Sequence, residues 1–255
     1  MLIKRNKMKK VVIVTGGSRG IGAATAKLAA AQGYAVCVNY LHNQQAADAV
    51  VAEIQALGGI AIAMQADLAV EAEIVALFQR VDQELGPVNA LVNNAGILET
   101  QSGLLDMDQA RLQRVFTANV VGPMLCAREA VKRMSVKLGG KGGAIVNVSS
   151  VASRLGAPGE YIDYAASKGA LDSFTLGLSK EVADQGIRVN SVRPGFIYTD
   201  IHASGGEPGR VDRIKDAIPM KRGGQPEEVA QAILWLLSEQ ASYATGTFID
   251  LAGGR

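Results

Sequence analysis

The sequence predicts an α/β fold, a doubly wound parallel sheet of seven strands flanked by helices on both faces. Three observations carry this prediction. Seven short apolar runs alternate with longer amphipathic stretches along the 255 residues, the pattern of successive βαβ units. Most of the runs are apolar at neighbouring positions, not at every second one, so both faces of those strands are to be covered, as in parallel sheets between two helix layers. A glycine-rich segment joins the first run to the first helical stretch, where a Rossmann-type fold makes its tight strand-to-helix turn.

Strands are expected at residues 10–15, 35–39, 60–65, 90–93, 144–149, 188–193 and 248–251. Between them lie an alanine-rich helical stretch at 23–31 and one at 44–57 with apolar residues at 46, 47, 50, 51, 54 and 57, the 3.6-residue repeat. Further helices are expected at 71–85, 107–137, 164–184 and 227–238. Residues 139–143 and 203–209 read as Gly-rich loops. No linker divides the chain, so residues 10–255 are expected to form one domain behind a basic tail at 1–9 that holds Lys4, Arg5, Lys7 and Lys9.

With 26 basic and 24 acidic residues the net charge is +2, which draws the chain toward neither nucleic acid nor an anionic membrane. After the basic start, the apolar run at 11–14 is too short for a signal peptide. No apolar stretch approaches the roughly 20 residues of a membrane span. Cys37 and Cys126 sit in apolar segments and read as buried free thiols in a reducing, cytoplasmic setting. No Cys/His cluster has metal-ligand spacing, so no metal is expected.

Thr15-Gly16-Gly17-Ser18-Arg19-Gly20-Ile21-Gly22 follows the first strand and opens the first helix. Glycines allow a tight turn and a close approach to a pyrophosphate, and a helix N-terminus offers free N–H groups to the anion. Gly16, Ser18, Arg19, Gly20, Ile21 and Gly22 are therefore candidate dinucleotide contacts. NAD-using folds carry an acid roughly 20 residues further on for the ribose 2′-hydroxyl. Here that region reads Asn39-Tyr40-Leu41-His42-Asn43, with no carboxylate. Arg19 in the turn suits a phosphate dianion, so NADP(H) is expected, with NAD(H) the second choice and Asn39 and Tyr40 beside the ribose.

Tyr164-Ala165-Ala166-Ser167-Lys168 places Tyr164 and Lys168 on one helix face, four residues apart. A free phenol ionises near pH ~10, and a neighbouring ammonium favours the phenolate, so the pair reads as a proton-exchange device working near neutrality. Tyr161 lies about two helical turns, ~10 Å, from Lys168, too far for direct coupling, and reads as a pocket wall. Ser149 and Ser150 end a strand and point to opposite faces, so one of the two is to reach a substrate.

These motifs, in this order, resemble the short-chain dehydrogenases/reductases in their compact single-domain branch, from Val11 to Gly254. The glycine spacing with its leading Thr15, Asn93-Asn94-Ala95-Gly96, and Pro194-Gly195 with Thr199 beyond carry the resemblance, together with Asn119, Ser150, Tyr164 and Lys168. It implies an oxidoreductase that moves a hydride between a nicotinamide and a carbonyl or alcohol. Tyr164 would be the acid/base, Ser150, favoured over Ser149, would hold the substrate oxygen, and Lys168 would also bond the nicotinamide ribose. Asn119 would kink its helix and hold a relay water. Asn94, Ala95, Gly96, Pro194, Gly195, Ile197 and Thr199 would line the cofactor. Asp67, with Leu68, would meet the adenine, and Asp67 can also cap the helix before Glu71.

Substrate choice is expected in the loops at 98–104, 153–161 and 201–210, with 203–209 read as a mobile lid or a passive connection. Ile97, Leu98, Leu155, Tyr161, Phe196 and Tyr198 are the expected pocket edge, and His202, Glu207 and Arg210 either touch a polar substrate or stay solvated. Apolar faces at 107–137 and 164–184, with the family's interface in view, imply a homotetramer, or else a dimer. The partner is a small carbonyl or alcohol, with no nucleic acid and no membrane. Reduction of 3-oxoacyl thioesters, which Arg154 and Arg210 would assist by meeting an acidic carrier, and sugar oxidation are alternatives within the family. An NADP(H)-binding sensor or scaffold is the non-enzymatic one.

Overall fold

All seven expected strands form in the computed structural model, which describes residues 10–255; the basic tail at 1–9 lies outside the described residues. They are β1 (Lys10–Val14), β2 (Tyr34–Tyr40), β3 (Ile60–Gln65), β4 (Ala90–Asn93), β5 (Gly143–Val148), β6 (Ile187–Pro194) and β7 (Phe248–Leu251). They make one sheet of order β3-β2-β1-β4-β5-β6-β7, parallel at every pairing. Strand order reverses between β1 and β4, and a crevice opens there beyond the strand ends.

The helices are α1 (Gly20–Ala31), α2 (Gln44–Ala56), α3 (Glu71–Glu84), α4 (Gln109–Phe116), α5 (Gly122–Met134), α6 (Ala152–Leu155), α7 (Ile162–Glu181), α8 (Ile201–Ser204), α9 (Arg210–Ile214) and α10 (Pro226–Leu237). Alternate strand residues face opposite layers. Val12, Val14, Val36 and Val38 pack with Ala26 and Ala29 of α1, Val50 and Ile54 of α2, and Ile233 and Leu234 of α10. Val11, Ile13, Cys37 and Leu91 pack with Leu77 and Phe78 of α3, Cys126 and Ala130 of α5, and Phe174 and Leu178 beside them from α7. Each fully buried Val, Leu, Ile or Phe contributes about 1.5–3 kcal/mol, so these two layers hold the sheet as a rigid platform.

Two stretches depart from expectation. The helix expected at 107–137 is interrupted by a π turn at Thr117–Val121. Pro123, at the start of α5, has no N–H to continue the i→i−4 ladder. Gly122 packs so closely that a Cβ there would lie 2.6 Å from the Leu68 carbonyl oxygen. The loop expected at 203–209 is largely gathered between α8 and α9. Among the described residues no helix is long and apolar enough to cross a membrane, and no group of three or more His, Cys, Asp or Glu is arranged to hold a metal ion.

Candidate active site

A cavity of about 1020 Å³ runs along the C-terminal ends of the strands, from the turn after β1 to α8 and α9. Its first half is built by polar side chains that grip the backbone of that turn. The Thr15 hydroxyl accepts from the amides of Asn94 (2.9 Å) and Ala95 (3.0 Å). The Asn94 side chain donates to the carbonyls of Thr15 (2.9 Å) and Gly16 (3.1 Å). From β2, Asn39 accepts from the Gly16 amide at 3.3 Å and donates to the Ala66 carbonyl at 3.2 Å. The side chains of Asn39 and Asn94, expected beside the nucleotide, thus shape its cradle. Gly22 lies under the turn and not along the cavity: a Cβ there would stand 2.2 Å from the Gly16 carbonyl oxygen.

The N-terminus of α1 has no side-chain cap and no acid in its first turn, which leaves its amides free for an anion. Gly16, Ser18, Arg19, Gly20 and Ile21 line the cavity here, with Tyr40, Asp67, Leu68, Ala95 and Gly96 further along and Pro194, Gly195, Ile197 and Thr199 opposite. Arg19 is exposed, and its guanidinium has no acidic partner among the described residues. An uncapped helix, a lone guanidinium and neutral residues at the end of β2 fit a dinucleotide bearing an extra phosphate. Asp67 does not cap α3, whose N-cap is Val70; its carboxylate accepts from the Ala69 amide at 2.8 Å.

The second half holds Ser150, Tyr164 and Lys168. Ser149 also lines the cavity, with its hydroxyl donating to the Lys168 carbonyl at 3.2 Å. The Ser150 hydroxyl shares the cavity with the Tyr164 phenol and donates to the Pro194 carbonyl at 3.4 Å. The Lys168 ammonium lies 5.5 Å from the centre of the Tyr164 ring and donates to the Val148 carbonyl at 2.8 Å. A Cβ on Gly96 would meet both Asn119 Oδ1 (3.2 Å) and Lys168 Nζ (3.4 Å), so the backbone at Gly96 approaches both.

Burial opposes the lowering of the Tyr164 phenol pKa expected from Lys168. It pushes the phenol up to about 12, with the Ser150 hydroxyl pulling the other way. Burial also brings Lys168 down to about 8, while the nearby Asp172 carboxylate raises it. Desolvation disfavours each charged form, so burial favours the protonated phenol of Tyr164 at neutral pH.

Asn119 sits in the π turn, fully buried, and does not line the cavity. Its side chain accepts from the Ile97 amide (2.8 Å) and donates to the Ile97 carbonyl (3.0 Å) and Ser167 hydroxyl (3.1 Å). It clamps the strand-end loop to α7.

Sequence reasoning missed the ion pair that anchors the start of α7. Asp163, next to Tyr164, accepts from Arg111 Nε at 2.7 Å and from the Tyr164 amide at 2.9 Å. Arg111 also donates to the Thr100 carbonyl at 2.8 Å. Both side chains are buried. The partners stand 52 residues apart on different helices, and no periodicity joins them.

At the substrate end, Ile97, Leu98, Leu155, Tyr161 and Phe196 line the cavity as expected. Tyr198 does not: its hydroxyl donates to Asp212 at 3.0 Å. Tyr161 donates to the Gly205 carbonyl at 3.0 Å, tying the start of α7 to the segment read as a lid or a passive connection. His202 and Arg210 are buried in the wall; His202 Nε2 meets the Ile197 carbonyl at 3.0 Å, and burial lowers its ring pKa. Glu207 is engaged with Arg213, Arg210 and Gln101. Arg154 pairs with Asp250 outside the cavity, so neither Arg154 nor Arg210 offers a free cation to an acidic carrier.

Residues 16–255 match the family described as enoyl-(acyl carrier protein) reductase. The chain is 65% identical over 245 residues, 96% of its length and 99% of the other's, to the uncharacterized oxidoreductase YgfF of Escherichia coli K12. It is 43% identical over 246 residues, 96% of each chain, to a 3-oxoacyl-(acyl-carrier-protein) reductase of Synechocystis. A solved dehydrogenase/reductase from Sinorhizobium meliloti 1021 superposes with a TM-score of 0.89 at 33% identity, covering 96% of this chain and 94% of that one. With its parallel seven-stranded sheet, glycine turn and Ser-Tyr-Lys cluster, the chain belongs to the short-chain dehydrogenase/reductase family of oxidoreductases.

Proposed function

We propose that the protein is an NADP(H)-dependent oxidoreductase that interconverts a carbonyl and its alcohol, using Tyr164 as acid and base. The observation that carries this reading is the meeting of the Ser150 hydroxyl and the Tyr164 phenol in one cavity with an uncapped glycine turn. A bound nicotinamide would supply or accept the hydride. In reduction, Ser150 donates a hydrogen bond to the carbonyl oxygen and steadies its growing negative charge. Tyr164 then gives that oxygen its proton, and the Lys168 ammonium nearby favours the resulting phenolate. In oxidation the phenolate removes the proton. The test is NADPH oxidation against ketones, aldehydes, quinones and 3-oxoacyl thioesters, and NADP reduction with alcohols and sugars; no turnover in either direction would overturn the reading and favour a sensor or scaffold.

Arg19 supports NADP(H) over NAD(H), since a guanidinium grips a phosphate dianion with paired hydrogen bonds. Arg19→Ala is expected to raise the NADPH dissociation constant by about tenfold or more and to leave that for NADH nearly unchanged, measured by fluorescence titration. Equal losses would remove the argument. Within the family, reduction of 3-oxoacyl thioesters is the second reading, favoured by the name of the Synechocystis relative. The family description names a different acyl reduction, and the paired states of Arg154 and Arg210 weaken the case for carrier docking.

A cytoplasmic homotetramer of single-domain subunits completes the proposal, with a dimer next. Phe116, Val121, Met124 and Leu176 leave apolar surface exposed along α4, the π turn, α5 and α7, which supports a subunit contact on that face. Light scattering at micromolar concentration is expected to give four times the chain mass; a monomer would contradict it.

A further inference from the structure

The substrate end of the cavity is built around Phe196 and three neighbouring cationic or basic groups. Arg210 lies 5.6 Å from the Phe196 ring centre and 4.7 Å from that of Tyr161. Arg255 lies 5.0 Å from the Phe196 ring centre, and His202 stacks on that ring with centres 6.5 Å apart. Arg255 is held there by a turn of its own. Gly253 and Gly254 have φ of +63° and +90°, a conformation that favours glycine. The Arg255 amide donates to the Ala252 carbonyl at 3.3 Å, and the Gly253 carbonyl accepts from Met220 at 3.1 Å. Phe196 itself follows Pro194, whose carbonyl accepts from Ser150 at 3.4 Å, so this cluster adjoins the reacting centre.

Arg210 pairs with Glu160 and Glu207, and Arg213 pairs with the same two carboxylates. Those four groups balance. Asp200, the other acid of this wall, lines both this cavity and a neighbouring cleft with Gly20, Ala23 and Lys27, and no ion pair joins it to Arg255. The Arg255 guanidinium lines the cavity without an acidic partner among the described residues. A guanidinium held over an aromatic ring keeps N–H groups that can grip a carboxylate or a phosphate with two bonds. Leu98, Leu155 and Pro158 add apolar wall to the same cavity.

We infer that the substrate is an anionic carbonyl compound or its alcohol, whose carboxylate or phosphate is held by Arg255 while its carbonyl meets Ser150 and Tyr164. The inference rests on the oxidoreductase reading above. It is tested with matched pairs that differ in the anion: 4-oxopentanoate against its methyl ester, and dihydroxyacetone phosphate against dihydroxyacetone, each with NADPH in wild type, Arg255→Met and Arg255→Lys.

In the wild type, at least one anion is expected to exceed its neutral partner in kcat/KM by about tenfold or more. Which pair shows the preference tells carboxylate from phosphate. In Arg255→Met the preference should fall to near one, through KM for the anion; Arg255→Lys should keep part of it. Neutral partners used as well as anions, or a preference that survives Arg255→Met, overturn the inference and leave the oxidoreductase reading standing. No turnover of any of the four compounds, with NADPH binding intact by fluorescence and a neutral ketone of the wider panel turned over, overturns the inference alone; silence across that whole panel overturns both.

Discussion

Tyr164→Phe is expected to lower turnover by on the order of 10²–10⁴-fold while leaving NADPH affinity nearly unchanged. The phenol is half-buried in the wall of the cavity it shares with Ser150, and Phe keeps the ring while removing the proton. Turnover within threefold of wild type would mean that another group delivers the proton. The pH dependence adds a second reading. Burial holds the free enzyme's phenol up to about 12, so Tyr164 stays protonated and ready to donate through the neutral range. Lys168, brought down to about 8, loses its charge first as pH rises. The kcat/KM for carbonyl reduction, which reports the free enzyme, is therefore expected to be level below pH 8 and to fall above it. A profile unchanged to pH 10 would exclude the Lys168 charge from the reaction.

Asp163→Ala is expected to cost about 3–5 kcal/mol of stability, because it strands the buried Arg111 guanidinium without its counter-ion. The Asp163 side chain is 1% exposed and that of Arg111 9%, so water cannot take over. The melting temperature should drop by roughly 10 °C or more. The substitution also frees the Tyr164 amide from its carboxylate, loosening the first turn of α7 where Tyr164 stands. Asp163→Asn keeps an acceptor for that amide and should recover part of the turnover while recovering little stability. A melting temperature within 2 °C of wild type for Asp163→Ala would show that the pair contributes no net stability.

The strands were legible because each is a short apolar run whose both faces meet helices, and Ile60–Gln65, Ala90–Asn93 and Phe248–Leu251 form at their expected bounds. The turn after β1 was legible for a different reason: its glycines, with Gly16 and Gly20 at positive φ, meet a local backbone demand. Tyr164 and Lys168 share a face because helix geometry requires it. What escaped was set by packing between distant elements. The π turn depends on Gly122 meeting Leu68 across the fold, and the Arg111–Asp163 pair joins two helices. The phenol's raised pKa comes from burial, which a spacing of four residues does not encode. Tyr198 looked like pocket lining by position in the chain, yet Asp212 draws it outward.

The cradle after β1 has a consequence for assembly. Thr15 hydroxyl and Asn94 amide are joined across 79 residues, and Gly16 is joined to Asn39 across 23. A short glycine loop that seems local in the chain therefore acquires its shape when β1, β2 and β4 have already aligned. Closing such long loops is an entropic cost met late in folding. A dinucleotide that recognises the finished cradle thus selects chains whose central sheet is complete, and its binding energy, about 2.7 kcal/mol at a hundredfold excess over Kd, stabilises the central sheet as well as the loop that touches it.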